Sequence, residues 1–209
     1  LIILFLLSLV FAVGSSIDIY LSNVFYYGDN QFALQSYYNV TIFFRKIVLP
    51  LVILYIFVLP IFSKFLSIHK IYFNYKFNFG EILFLWISAI FNLIIIINLV
   101  LKNNWGRARP GDVRQLGGEE DFTPWHIITN HCSENCSFVS GDAAVGFSLL
   151  VFYFLTKKNI YLALSLFFGF CLGIIRIMEG GHFASDVILS AFVVWVLCFV
   201  ETKYYKKYV

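Results

Sequence analysis

Charge is what this chain lacks. Only 13% of its 209 residues are Asp, Glu, Lys or Arg, about half of the roughly 25% that a soluble domain carries. A fold of this length could not cover its surface with so few charges, which excludes a cytosolic globular protein. The same shortage excludes a disordered chain, and also a coiled coil, whose seam needs charged flanks. The net charge is small as well, +3 at pH 7, and by itself implies no nucleic-acid partner. Cysteine is scarce. Of the four, Cys171 and Cys198 fall inside apolar runs, where a thiol is an inert core group.

Apolar residues are abundant, at 60% hydrophobic and 20% aromatic. Six stretches are long and apolar enough to span, or nearly span, a bilayer: 1–16, 47–66, 81–101, 142–156, 159–178 and 186–200. A span takes about 20 residues, so the fourth and sixth are expected to continue into polar residues at the interface. The pattern predicts an all-α integral membrane protein, one domain over 1–209 with six transmembrane helices. The first run opens on Leu1 rather than Met, so a longer native first helix is expected, with the N-terminus incomplete here. A competing reading takes Ala12-Val13-Gly14 as a cleavage site after a signal segment. It lacks the charged residues that should precede such a segment.

The lysines orient the chain. Lys64, Lys70 and Lys76 lie between the second and third runs, Lys157 and Lys158 between the fourth and fifth, and Lys203, Lys206 and Lys207 after the sixth. With an even number of spans these segments share one side, which the positive-inside rule makes the cytoplasm. Both termini would lie there. The opposite side receives Arg45, Lys46, Lys102, Arg107, Arg109, Arg114 and Arg176. Cations on that side ask for a local reason, such as an anionic ligand. Cys132 and Cys136 fall on the same side, where an oxidising compartment permits a disulfide. A zinc site with His126 and His131 is the other reading, though the spacing is not a standard four-ligand pattern.

Three clusters meet on that side: Lys102 to Pro110, Phe138 to Asp142, and Arg176 to Asp186. Lys102, Arg109 and Arg176 could surround one dianion, the arginines as bidentate donors and the lysine as a point charge. Ser140 and Gly141 precede a helix, whose N–H groups suit an anion. His182 and Asp186 are spaced i, i+4. On a helix they would share a face, with Asp186 bonding one imidazole nitrogen and aiming the other at a substrate. Singly, each feature has a plain structural explanation: an interface anchor, a helix cap, a polar pair. Their convergence points to an anion site. The segment 17–46 carries Tyr20, Tyr26, Tyr27, Phe32 and Tyr37 among few charges. It reads equally as a wall for a lipid substrate or as an interfacial aromatic belt.

These clusters resemble a known signature. Lys102 to Pro110 matches K-x6-RP, Val139-Ser140-Gly141-Asp142 resembles P-S-G-H, and Ile175 to Asp186 resembles SR-x5-H-x3-D. This is the signature of the type 2 phosphatidic acid phosphatase (PAP2) superfamily. The resemblance covers 102–186 and implies a six-helix membrane bundle and a lipid phosphatase. It implies that His182 is a nucleophile that forms a phosphohistidine and that Asp186 orients it. Lys102, Arg109, Ser140, Gly141 and Arg176 would hold the phosphoryl oxygens, with no metal and no cofactor.

Gly106 to Pro110, Phe122-Thr-Pro124 and Cys132 to Asp142 further resemble the bacterial lipid A phosphatase branch, the 4′-phosphatase type above all. That implies removal of a phosphate monoester from the distal glucosamine of lipid A at the periplasmic face of the inner membrane. Other expectations are a lipid A 1-phosphatase, an undecaprenyl diphosphate or phosphatidylglycerol phosphate phosphatase, and an inactive lipid-binding or transport relative.

Three positions depart from the family pattern. Val139 stands for Pro, Ile175 for Ser, and Asp142 for the histidine that protonates the leaving group. Asp142 is therefore the candidate acid at a position where an ordinary carboxylate would be a poor one at neutral pH.

Overall fold

The computed structural model describes every residue except 1, 15, 30, 35, 36, 66–74 and 209. Lys70, one of the orienting lysines, lies outside the described residues. Among the described residues the chain is helical, with isolated bridges and no strand. The helices are α1 (Ile2–Val13), α2 (Ser16–Asn23), α3 (Tyr38–Ile42), α4 (Leu49–Phe65), α5 (Phe79–Ile90), α6 (Gly141–Phe147), α7 (Leu150–Thr156), α8 (Asn159–Met178) and α9 (Ala184–Tyr208). A π-helical stretch, Phe43–Val48, joins α3 to α4, and a second, Phe91–Lys102, extends α5.

Among the described residues four helices are long and apolar enough to cross a membrane: Asn39–Lys64, Phe79–Lys102, Asn159–Met178 and Ala184–Tyr208. Counting α1 and α2 as one bent span gives five. The fourth apolar run forms Gly141–Thr156, which is shorter than a span and divided into α6 and α7. The sixth run extends well past residue 200. Glu201 to Lys207 end the hydropathy signal, but Glu and Lys are good helix formers and the backbone ladder continues. Large apolar side chains such as Ile87, Ile94, Leu99 and Phe167 are left exposed on these helices, as a lipid-facing surface requires.

The core lies where α6 and α7 are enclosed by α4, α5, α8 and α9. Phe147, Leu149, Phe152, Tyr161, Ala191 and Val194 are fully buried there. Two glycines set the approach of α6 to α8. A Cβ on Gly146 would meet the backbone of Phe168 and Gly169, and a Cβ on Gly169 would enter the Phe147 ring. Small residues at such a crossing let membrane helices close to backbone contact. A second, smaller cluster packs Phe32 against Ala108, Val113, Leu116 and Phe183. This anchors the aromatic 17–46 segment on the back of the loop region, while Tyr27 and Tyr37 stay exposed.

This arrangement gathers Lys102, the start of α6, Arg176 and the start of α9 at one end of the bundle. Lys157, Lys158, Lys203, Lys206 and Lys207 lie at the opposite end.

Candidate active site

Gly180 takes a left-handed backbone (φ +71°) just after α8. The turn closes when the N–H groups of Gly181 and His182 donate to the carbonyl of Arg176, at 2.9 and 3.3 Å. His182 therefore sits in the turn ahead of α9, not on a helix with Asp186, and this corrects the expected shared helical face. Its Nδ1 lies 3.8 Å from Asp186 Oδ2 but donates to the backbone carbonyl of Ser137 at 2.6 Å. A carbonyl only accepts, so Nδ1 carries the proton and Nε2 is left with its lone pair.

Asp186 is drawn elsewhere. Its Oδ2 accepts from the N–H of Phe183 at 2.9 Å, capping its own helix, and from Ser137 Oγ at 2.6 Å. Its Oδ1 accepts from Arg107 Nη1 at 2.6 Å. Ser137 thus uses every polar group it has. Its hydroxyl donates to Asp186, its carbonyl accepts from His182, and its N–H donates to the Arg107 carbonyl at 2.9 Å.

Arg107 is wholly buried and joins this group to α2. Its Nη2 donates to Asp18 at 2.8 Å, and its Nε donates to the Thr123 carbonyl at 2.9 Å. The guanidinium lies over the Phe183 ring, 4.3 Å from the centroid. Asp18 also accepts from the Ser185 hydroxyl and, at 2.9 Å, from the Ser185 N–H in the first turn of α9. One buried cation between two buried carboxylates satisfies the condition under which charge is tolerated out of water.

In front of this assembly is a cavity of about 290 Å³ lined by Arg45, Lys102, Arg109, Asn135, Gly141, Asp142, Arg176 and His182, with Leu49, Leu93, Asn98 and Val145. Of the residues expected at the site, Lys102, Arg109, Gly141, Asp142, Arg176 and His182 share this wall. Ser140 and Asp186 are not on it. Ser140 Oγ is buried and has no hydrogen-bond partner among the described residues. A Cβ built on Gly141 would lie 3.6 Å from Lys102 Nζ, so the amine rests against the start of α6.

Asn135 holds two of the cations. Lys102 Nζ donates to its side-chain oxygen at 3.2 Å, and Arg109 donates to its carbonyl at 2.6 and 3.1 Å. Asn135 has a left-handed backbone (φ 51°) inside the short loop that the Cys132–Cys136 disulfide closes. Both thiols are held in that bond, and His131 Nδ1 lies 3.0 Å from Glu120.

Asp142 is flanked by Arg45 Nε at 3.2 Å and Arg176 Nε at 3.5 Å. Arg176 also pairs with Glu179 through Nη1. Arg114 is turned away and pairs with Asp121 at 2.9 Å on the surface. Burial, and then the charge of Arg176, hold the Arg109 guanidinium below its usual range. Burial pushes the His182 imidazole down to about 4; the Asp186 carboxylate opposes this, and Lys102 and Arg176 reinforce it. His182 is thus neutral at neutral pH, which leaves its outward nitrogen unprotonated.

Sequence reasoning missed Asp18, Ser137 and Asn135 and gave Arg107 no role. One signal was available. An acid amid the apolar residues of 16–23 and an extra arginine beside Arg109 are expensive unless they meet.

The PAP2 superfamily model matches residues 82–209. The chain is 38% identical over 121 residues to a lipid A 4′-phosphatase of Francisella tularensis subsp. novicida (strain U112), covering 53% of this chain and 54% of that protein. It is 33% identical over 122 residues to a lipid A 4′-phosphatase of Rhizobium leguminosarum, covering 54% of this chain and 52% of that one. A lipid A 4′-phosphatase of Rhizobium etli is 31% identical over 122 residues, covering 54% of this chain and 48% of the relative. The chain thus spans about half the length of the curated relatives it matches. No solved structure matches it. With more than half of its length under the family model, and with the three clusters of that signature gathered at one end of its helices, the chain belongs to the PAP2 superfamily.

Proposed function

We propose that this protein is a lipid phosphate phosphatase that removes the 4′-phosphate monoester of lipid A through a phosphohistidine. The observation that carries the reading is the aim of His182. Its Nδ1 proton is committed to the Ser137 carbonyl, and the imidazole faces a cavity lined by four cations. Lys102, Arg109 and Arg176 hold the phosphoryl oxygens, with Gly141 beside them on the cavity wall and Ser140 behind it as the residue that precedes α6. His182 Nε2 attacks phosphorus and a P–N bond forms. The bond from phosphorus to the sugar oxygen breaks, and that oxygen takes a proton from a water molecule entering the cavity. Water then hydrolyses the phosphohistidine, releasing inorganic phosphate and restoring the neutral imidazole. Asp186 acts through Ser137 and Arg107. The guanidinium groups meet the charge that develops on phosphorus, so the reading needs no metal.

The relatives' names supply the substrate. The lysines at the far end of the bundle support a cytoplasmic location for that end and both termini, with the cavity at the periplasmic face of the inner membrane. In a six-span arrangement, α1 with α2 forms the first span and Gly141–Thr156 the fourth, completed at the interface.

One observation favours a second reading. Asp142 is engaged with two guanidinium groups, and His182 is the one histidine among the residues lining the cavity. A leaving group that needs no acid would suit this, as in a lipid diphosphate. Phosphate release by purified protein in detergent separates the two. A glucosamine-linked lipid monoester should be cleaved faster than undecaprenyl diphosphate or phosphatidylglycerol phosphate. Preference for the diphosphate would replace the first reading with the second, and release from no lipid would leave a binding or transport relative.

A further inference from the structure

Beside the phosphate cavity lies a second one of about 460 Å³, whose lining includes Thr41, Arg45, Arg109, Asp112, Arg176 and Glu179. Its size falls within the range of about 300–1,000 Å³ usual for small-molecule sites. Arg45, Arg109 and Arg176 line both cavities, so a group bound in one adjoins the other. Two of its lining residues carry a side-chain oxygen that is buried without a hydrogen-bond partner among the described residues: Thr41 Oγ1 and Glu179 Oε1. The Glu179 side chain is 8% exposed, and its other oxygen is taken by Arg176. Buried polar atoms of this kind are ordinarily satisfied, and here both belong to residues that line the cavity.

We infer that this cavity is a hydroxyl-recognition subsite that seats the sugar ring carrying the phosphate, with Thr41, Asp112 and Glu179 as its specificity-determining residues. The inference rests on the proposed function and deepens it. The donor and acceptor balance identifies the ligand class. Arginines alone would suit a second phosphate. Two carboxylates among them repel an anion and instead accept hydrogen bonds from hydroxyl groups, while the arginines donate to hydroxyl oxygens. A Cβ on Gly181 would occupy the position of the Arg176 guanidinium, so its absence lets that group lie against the turn. A glycerol-linked phosphate would leave Thr41 and Glu179 unpaired, and a site built to bond hydroxyls discriminates through that deficit.

The test compares two micellar substrates: an acylated glucosamine disaccharide with a single distal phosphate, and phosphatidic acid. The readout is the ratio of their kcat/KM values. Thr41→Val, Asp112→Asn and Glu179→Gln should each lower the ratio by roughly tenfold, the effect of one lost charge-assisted or buried hydrogen bond, mainly through KM on the sugar substrate. Thr41→Ser, which keeps the hydroxyl, should restore it. A ratio unchanged in all three variants overturns the subsite, as does an equal loss on both substrates. If Asp112→Asn raises kcat/KM on a disaccharide phosphorylated on both sugars, the cavity takes a second phosphate and the inference fails. The wild-type protein keeps the two readings separable. If it cleaves phosphatidic acid as well as the sugar substrate, the proposed function is at fault. If it prefers the sugar and the variants keep that preference, the subsite is.

Discussion

His182 donates its Nδ1 proton to the backbone carbonyl of Ser137 at 2.6 Å, while the Asp186 carboxylate stands 3.8 Å away. The tautomer is therefore set by a main-chain oxygen, and the carboxylate fixes the residue that supplies that oxygen.

This division of labour separates two variants. His182→Ala should abolish phosphate release while the protein remains folded. Asp186→Asn keeps the carbonyl contact but weakens the hold on Ser137 and Arg107. It should lower kcat by about 10²–10⁴-fold with a smaller change in KM, as for a misoriented imidazole. Steady-state release from a lipid monoester measures both, and turnover by the His182 variant at the wild-type rate would end the covalent mechanism.

Because burial pushes His182 down to about 4, the acid limb of kcat/KM should fall near pH 4 rather than near the ordinary histidine value of about 6.5. The stability effect has the matching sign. The unfolded chain takes up a proton below about pH 6.5 that the folded chain refuses until about pH 4, so stability from this group is complete above 6.5 and falls across that window. A pH–rate profile and thermal unfolding in detergent between pH 4 and 7 check the two limbs. Moving the acid limb to 6.5 would require a solvated imidazole.

Arg107→Met strands Asp18 and Asp186 as uncompensated buried carboxylates. It should destabilise the protein by about 3–5 kcal/mol in thermal unfolding. Arg107→Lys should not rescue it, because an ammonium cannot reach both carboxylates and the Thr123 carbonyl at once. Wild-type stability and kcat in the lysine variant would count against the bridging role.

Cys132 and Cys136 should resist a membrane-impermeant thiol reagent until reductant is added. Replacing both by Ser frees the loop that positions Asn135 against Lys102 and Arg109. KM should rise several-fold while the acid limb set by His182 stays where it was. Labelling without reductant would remove the disulfide from the native protein.

Gly169→Ala drives a methyl into the Phe147 ring, and Gly146→Ala drives one into the backbone of α8. Overpacking of this kind costs about 1–3 kcal/mol. Gly146→Ala should be the worse of the two, since backbone yields less readily than a ring, and a melting series of the two single variants orders them.

Much of this was legible in the chain itself. The run 159–178 coincides with α8, because apolar length alone defines a span. The convergence of Lys102, Arg109, Gly141, Arg176 and His182 on one cavity follows from motifs tied to helix ends. Other features were hidden for physical reasons. Ser137 acts through its carbonyl, a group every residue owns, so no side-chain pattern marks it. Asn135 matters through a left-handed turn. Asp18 is a lone acid whose partner lies 89 positions away along the chain. The spacing of His182 and Asp186 suggested a helical pair, but Gly180 ends α8 and α9 begins only at Ala184, so the two residues share no helix.

Asp18 lies outside residues 82–209, where the family model ends its claim on the chain. It nevertheless caps the first turn of α9 and completes the shell around Arg107. α2 must therefore dock against α9 before the shell around Arg107 is complete. Assembly carries its own checkpoint: a chain whose α2 has not yet docked presents a buried arginine that has lost one of its two carboxylate partners.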